Sequence, residues 1–258
     1  MSALRTEEVL DVQHWSDGYF SLKTTRDPGF RFESGHFVML GLEIDGRPLM
    51  RAYSIVSPHW AEHLEFLSVI VENGPLTSRL KDIKPGDKVI LSAKPVGTLV
   101  MHDLNPGKNL FLFSTGTGLA PFMSIIHDPE AYERFEKIVL VHSVRRVADL
   151  AYHDYLVNDL PNHEFLGEEA RAKLVYYPTV TREPFRNQGR ITTLIDNNKL
   201  TDDIGLPPLN PETDRAMICG SMELIKAIEA QLDARGFHIS PSHGHPGDYV
   251  IERAFVER

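Results

Sequence analysis

Cysteine is almost missing from this chain of 258 residues: Cys219 is the only one. A single thiol cannot close a disulfide within the chain, which suits a reducing compartment. It also rules out an internal iron–sulfur cluster, since such a cluster takes about four cysteine ligands. A net positive charge is missing too. The formal charge is −9, which argues against non-specific nucleic-acid binding, a function that needs clustered positive charge. No apolar run approaches the length of a membrane-spanning helix, and the opening residues Met1–Leu10 lack the basic-then-apolar layout of a secretory signal. From these two absences we expect a cytoplasmic protein. Repeats, low-complexity tracts and long linkers are absent as well. With 42% hydrophobic and 24% charged residues, the chain is an ordinary globular one, long enough for two domains.

The two halves differ in period. Glu8–His14, Tyr19–Thr25, His36–Leu42, Pro48–Ser54 and Leu64–Val71 are short, rich in β-branched and aromatic residues, and separated by turn formers such as Ser16-Asp17-Gly18 and Asp45-Gly46. They predict a small antiparallel barrel, with one helix at Leu76–Asp82. The pattern changes at Asn105-Pro106-Gly107, which gives domains 1–104 and 105–258. Beyond it, apolar runs at Asn109–Ser114, Lys137–His142, Lys173–Thr179, Arg215–Cys219 and Asp248–Ala254 read as strands. Helical stretches at Pro121–His127, Val147 to about Val157, Ile191–Asn197 and Met222–Arg235 alternate with them, the last ended by Gly236. This alternation predicts a parallel sheet with helices on both faces.

The buried strand Asn109–Ser114 leads into Thr115-Gly116-Thr117-Gly118-Leu119-Ala120-Pro121. A glycine-rich turn between such a strand and a helix can hold a pyrophosphate on backbone N–H groups. Pro121 occupies the third glycine position, so the loop departs from the usual dinucleotide fingerprint. The acidic residue that would hold a ribose hydroxyl is replaced by Arg145-Arg146 after the next strand, with Thr181-Arg182-Glu183 and Arg190 further on. Those cations suit the extra phosphate of NADP, which points to NADP over NAD.

A second set comprises Arg51-Ala52-Tyr53-Ser54 and Gly74-Pro75-Leu76-Thr77-Ser78. Strand alternation puts Arg51 and Tyr53 on one face, where they could meet a phosphate and an aromatic ring; an ordinary amphipathic strand reads the same way. Alternation also puts Ser54 on the opposite face unless the strand bends or ends there. Thr77 and Ser78 could cap the predicted helix or bind a second phosphate. Cys219, beside Gly220-Ser221 at a sheet edge, reads either as a small buried hydrophobe or as a wall of a ligand site, and not as a covalent nucleophile. His243-Gly244-His245 lacks a third ligand at a recognisable spacing, so we expect a solvated loop and no metal.

In this order, R-A-Y-S, G-P-L-T-S, T-G-T-G-L-A-P and C-G-S span nearly the whole chain, and together they resemble the ferredoxin–NADP⁺ reductase superfamily. The bacterial ferredoxin (flavodoxin)–NADP⁺ reductases are the nearest branch, because the chain ends Ala254-Phe255-Val256-Glu257-Arg258, whereas the plant-plastid branch ends on a tyrosine. The resemblance implies a β-barrel FAD-binding domain followed by an α/β NADP-binding domain, with residues 254–258 returning to the flavin. It implies that Arg51 contacts the FAD pyrophosphate, Ala52 and Tyr53 lie against the flavin, and Ser54 lies near N5. Val69, Ile70, Val71 and Glu72 would run alongside the flavin, and Gly74, Thr77 and Ser78 would hold the FAD phosphates.

On the nicotinamide side, Thr115, Gly116, Thr117, Gly118, Leu119 and Pro121 would form the NADP pyrophosphate loop. Arg145, Thr181, Arg182 and Arg190 would surround the 2′-phosphate, and Cys219, Gly220 and Ser221 would border the nicotinamide. Ala254, Phe255, Val256 and Glu257 would cover the flavin, with Phe255 the stacking ring. Ser54, Cys219 and Glu252 would be the groups nearest the chemistry. The implied reaction is hydride transfer from NADPH to flavin N5, followed by two single-electron transfers to a separate ferredoxin or flavodoxin. Arg31, Arg47, Arg79, Lys81, Lys84 and Lys88 are candidates for docking that carrier. A monomer is expected. Alternatives left open are a reductase serving another acceptor, such as a ferric complex or an oxygenase component, and a catalytically silent flavin- or nucleotide-binding redox sensor.

Overall fold

The structure, a computed structural model, describes residues 4–252. Six strands, β1 (Leu4–Ser16), β2 (Tyr19–Thr25), β3 (Phe37–Ile44), β4 (Arg47–Ser54), β5 (His63–Val69) and β6 (Lys88–Ser92), form an antiparallel sheet in the order β4-β3-β6-β1-β2-β5. Its two edges meet where Ile55 bridges Phe66 and Val56 N–H donates to Glu65 O at 2.8 Å, which closes a barrel. Alternation builds the interior: Val38 and Leu40 are buried while Met39 between them is exposed. Phe20, Leu22, Phe66 and Leu91 join them in one core. Helix α1 (Thr77–Leu80) sets Leu80 into that same core.

Five parallel strands follow, β7 (Asn109–Thr115), β8 (Lys137–Val144), β9 (Leu174–Val180), β10 (Asp214–Cys219) and β11 (Tyr249–Ile251), in the order β11-β10-β7-β8-β9. Successive residues of β7 serve opposite faces. Leu110 and Leu112 pack with α2 (Ala120–Ile126), α3 (Pro129–Arg134) and α4 (Gly167–Lys173). Phe111 and Phe113 pack with α5 (Ile191–Asp196), α6 (Lys199–Asp203) and α7 (Met222–Asp233). Leu99, Met101 and Leu104, from the segment joining the two sheets, enter the first of these cores together with Val56 and Leu67 of the barrel side. The two halves therefore share buried apolar surface. No helix among the described residues is long and apolar enough to cross a membrane.

Both predicted architectures are present, and several elements differ from expectation. The helix expected from Val147 to Val157 is instead two short pieces, a 3₁₀ turn at Val147–Asp149 and a π-type turn at Tyr155–Asp159. Tyr152 separates them, taking φ +60°, which no right-handed helix accommodates. Strand β6 was not anticipated: five residues between a turn and a loop carry too short a pattern. The short helices α3, α4 and α6 were likewise missed. The helix at Leu76–Asp82 shortens to Thr77–Leu80, and the final strand to Tyr249–Ile251, its expected end at Ala254 lying outside the described residues.

Candidate functional site

Strand order reverses beside β7. The chain moves from β7 to β8 and β9 on one side, then returns to place β10 and β11 on the other. A crevice forms at such a switch point because the loops leaving the two central strands diverge. Here those loops are Gly116–Leu119, a 3₁₀ turn leading into α2, and Gly220-Ser221, leading into α7. They start side by side, with Ser114 opposite Cys219 in the parallel register.

Close backbone approach dictates the glycines. A Cβ on Gly118 would overlap the Cys219 carbonyl oxygen, and one on Gly220, at φ +151°, would overlap Thr115 Oγ1. Ser221 caps α7, its side chain accepting from Leu224 N–H at 3.2 Å. Beneath the first loop, buried His142 donates Nε2–H to the Gly116 carbonyl at 3.2 Å.

The crevice is a cleft of roughly 860 Å³. Its walls bring together Thr115, Gly116, Thr117, Gly118, Arg145, Thr181, Arg182, Arg190, Gly220 and Ser221, which are scattered over the second half of the sequence. Thr181 N–H donates to Val144 O and Arg182 N–H to Arg145 O, both at 3.0 Å, so Arg145 and Arg182 stand side by side on one rim. Arg190 pairs with Glu223 at 3.3 Å, and with 74% and 81% of these side chains exposed the pair is readily exchanged for another anion.

Leu119 and Pro121, expected in the phosphate loop, are instead buried in the core below the cleft. Cys219 is fully buried as well, with its thiol pushed well above the ordinary range by burial and, secondarily, by the Glu252 carboxylate. Glu252 is itself buried, its Oε2 accepting from Thr98 N–H at 3.3 Å.

Sequence reading missed several lining residues. Tyr19 is one; paired across β2 and β5 with Val69, which was expected beside the flavin, it brings the barrel into the wall. Tyr19 Oη stands over Gly116, 2.8 Å from where a Cβ would be. Burial raises its phenol pKa, Asp149 adds to the shift, and Arg145 opposes it. Ser143, Gly189, Thr192, Met222 and Glu223 are also new. The only signal for them is adjacency to residues already chosen.

A second depression, of roughly 630 Å³, is lined by Asp17, Ile70, Val71, Glu72, Asn73, Pro75, Ser78, Arg79 and Lys81. Since Val69 lines the cleft and Ile70 the depression, the two abut at the end of β5. Thr77 caps nothing: its Oγ1 bonds the backbone N–H and carbonyl of Val71, at 3.1 and 3.3 Å, and closes the loop around Gly74. A Cβ on Gly74 would come within 2.7 Å of that same oxygen.

On β4, Arg51 is exposed and donates to its neighbour's carbonyl, Met50 O, at 2.8 Å. Ala52 is half-buried. Tyr53 is buried in the barrel core, its Oη 3.1 Å from Ser68 Oγ and its ring edge-on to Phe66, so Arg51 and Tyr53 do not present one open face. Tyr53 and Ser54 are both buried, so alternation ends here, with the strand. Ser54 Oγ has no hydrogen-bond partner among the described residues, although a buried hydroxyl nearly always has one. Ala254, Phe255, Val256 and Glu257 lie outside the described residues.

This donor set fits two dinucleotides. Ser54 offers an unused hydroxyl, the depression offers Ser78, Arg79 and Lys81 to phosphates, and the cleft offers open backbone and three arginines.

Residues 12–100 match the family of oxidoreductase FAD-binding domains and residues 112–230 that of oxidoreductase NAD-binding domains. The chain is 62% identical to the ferredoxin–NADP reductase of Pseudomonas aeruginosa over 258 residues, all of both chains. It is 49% identical to the flavodoxin/ferredoxin–NADP reductase of Rhodobacter capsulatus, covering 97% of this chain and 93% of that one. Among solved structures it resembles a Neisseria gonorrhoeae ferredoxin NADP⁺ reductase with bound FAD and NADP, at TM-score 0.88 and 29% identity, covering 98% of this chain and 99% of that one.

Proposed function

The chain belongs to the ferredoxin–NADP reductase family, and from that premise we propose how its residues carry the family's reaction. The protein is an FAD-dependent oxidoreductase that moves electrons between NADPH and ferredoxin or flavodoxin. Bound FAD supplies the exchange between a two-electron donor and a one-electron carrier. The residues of the chain supply binding, orientation and exclusion of water.

Residues 1–104 hold FAD and residues 105–258 hold NADPH. Ser78, Arg79 and Lys81 take the FAD phosphates, with Arg51 reaching them from β4. Tyr53 backs the ring system, and Ser54 Oγ offers its hydrogen bond to the ring edge. Across the junction at Val69, Thr115–Gly118 and the N-terminus of α7 bind the NADPH pyrophosphate. Arg145 and Arg182 hold the 2′-phosphate, and Arg190 joins them by leaving Glu223.

Cys219 and Gly220 set the floor on which the nicotinamide lies. Cys219 acts through its size, since its buried thiol stays protonated. Hydride transfer needs no strong acid or base, so what the cleft must do is hold two ring edges in contact. Ferredoxin or flavodoxin, both acidic carriers by this reading, dock against the barrel's Arg31, Arg47, Lys84 and Lys88, Arg79 and Lys81 being taken up by the FAD phosphates. The protein works as a monomer, without nucleic acid, and in the cytoplasm, which suits a lone buried thiol.

One observation carries this reading: three arginines from two separate loops, those after β8 and β9, converge on the same cleft as the glycine-rich turn. The test is anaerobic addition of NADPH, and separately NADH, to the purified yellow protein while its visible spectrum is recorded. We expect NADPH to bleach the flavin band rapidly and NADH to do so far more slowly. An equal response would overturn the roles of Arg145, Arg182 and Arg190. A colourless protein that does not take up FAD would overturn the whole reading.

A further inference from the structure

Away from the cleft, three segments far apart in sequence meet around one buried carboxylate. Asp103 is 1% exposed. Its Oδ1 accepts from Gly244 N–H at 2.7 Å and lies 3.5 Å from His102 Nε2, while its Oδ2 lies 3.1 Å from His243 Nδ1. His102 and His243 meet edge to face with ring centroids 4.8 Å apart. Each of the three offers one ligand atom, and these atoms all lie within 4.8 Å of one another. Among the described residues no other group of three histidine, cysteine or acidic side chains converges in this way.

His102 also has a fixed orientation. Its Nδ1 meets Glu33 Oε2 at 2.9 Å, so that nitrogen carries a proton and donates it. The Nε2 side of the ring faces the Asp103 carboxylate, 3.5 Å away. A carboxylate behind a histidine whose other nitrogen faces a second carboxylate and a second imidazole is how metal-binding histidines are oriented.

We propose that His102, Asp103 and His243 form a binding site for a divalent transition metal of the zinc class. Two imidazoles and one carboxylate suit zinc, with water completing a tetrahedral shell. Ligand atoms around zinc stand roughly 3.4 Å apart, as follows from bonds of about 2.0–2.1 Å in a tetrahedron. The exposed His243 ring can swing inward to close the remaining gap, since 63% of its side chain is in solvent.

The site has a structural consequence. Asp103 lies in the segment between the two sheets, and its carbonyl accepts from Gly247 N–H at 2.9 Å, while Asn105 N–H donates to Gly247 O at 2.8 Å. Glu33 comes from the barrel half and His243 from the loop before β11. A metal ion here staples that loop to the joining segment, with Glu33 tying the barrel to the same point.

The test uses the FAD-loaded full chain, treated with EDTA and dialysed, then titrated with zinc sulfate by calorimetry and followed in parallel by thermal unfolding. We expect one zinc per chain and a rise in Tm with zinc. His102→Ala and His243→Ala should abolish that binding while retaining FAD and NADPH oxidation. Glu33→Gln, removing the orienting carboxylate, should weaken it about tenfold or more. His59→Ala, a control histidine elsewhere, should leave it unchanged. If His102→Ala fails to fold, the exposed His243→Ala decides. The proposal is overturned if the wild type binds no stoichiometric zinc, or if zinc binds His243→Ala as tightly as the wild type.

Discussion

Ser221 donates its backbone N–H to Thr115 Oγ1 at 3.1 Å, joining residues 106 positions apart at the carboxyl ends of β7 and β10. Gly220 has no room for a side chain because Thr115 Oγ1 occupies it. Thr115→Val keeps the volume and loses the acceptor. It should cost about 0.5–1.5 kcal/mol of stability, the net worth of one hydrogen bond where water can reach the freed Ser221 N–H, and it should raise the KM for NADPH. Gly220→Ala should be the more severe change, since it combines backbone strain at positive φ with overlap. Steady-state kinetics alongside urea unfolding would check both. An unchanged KM in Thr115→Val would mean that this bond does not shape the cleft.

Ser54 offers the opposite case, a hydroxyl that does nothing for the described fold. Removing an unpartnered buried hydroxyl leaves no group newly orphaned, so Ser54→Ala should leave the thermal stability of the FAD-free protein unchanged or slightly raised. With FAD bound, the same substitution should slow flavin reduction by NADPH, measured by stopped flow. Equal reduction rates in the two proteins would remove Ser54 from the site.

The arginine rim predicts a graded loss of cofactor choice. Arg182→Ala should reduce the preference for NADPH over NADH by about tenfold or more, the scale of one hydrogen bond to a charged group, about 1.5–3 kcal/mol. Arg190→Ala should cost less, because Arg190 already spends its charge on Glu223. Glu223→Gln should then strengthen NADPH binding without changing NADH. Ratios of kcat/KM for the two nucleotides at low and high salt would test this, the differences shrinking as salt rises.

Much of this site is legible in the sequence because its parts are loops bracketed by clear strands. Thr115-Gly116-Thr117-Gly118 follows an unbroken apolar run, and Arg145, Arg182 and Arg190 each follow the end of a strand or open a helix. Residues whose roles depend on tertiary approach are not legible. Tyr19 begins a strand of the other half, and only the barrel's placement puts its hydroxyl over Gly116. Leu119 and Pro121 belong to the motif by position, yet the turn rolls them into the core.

His102, Asp103 and His243 show the same limit, since no spacing rule connects a joining segment with a loop 140 residues away. The interrupted helix at Val147–Asp149 has a local cause that composition conceals: Tyr152 turns to φ +60°, and its hydroxyl donates to Glu65 of the barrel at 2.7 Å. A tertiary hydrogen bond and buried aromatic packing against Trp15 accompany the break.

His142 gives the prediction with the clearest sign. It is fully buried beneath the Gly116 loop, and burial pushes its pKa down from 6.5 to about 4, against a smaller upward push from its bond to the Gly116 carbonyl. Because the folded value lies below the unfolded one, the folded state resists taking up the proton. The contribution is complete above about pH 6.5 and is lost as pH falls toward 4. The drop from 6.5 to about 4, at roughly 1.4 kcal/mol per pH unit, makes a loss of about 3 kcal/mol.

His142→Gln can still donate to Gly116 but carries no titrating group. Other acid-sensitive groups remain in both proteins, so the quantity to read is the difference between them. Urea unfolding at pH 7.5, 5.5 and 4.5 should show wild type the more stable at the first pH, with its advantage shrinking or reversing by the last. A difference that stays constant with pH would show that burial does not hold His142 neutral as the solution is acidified.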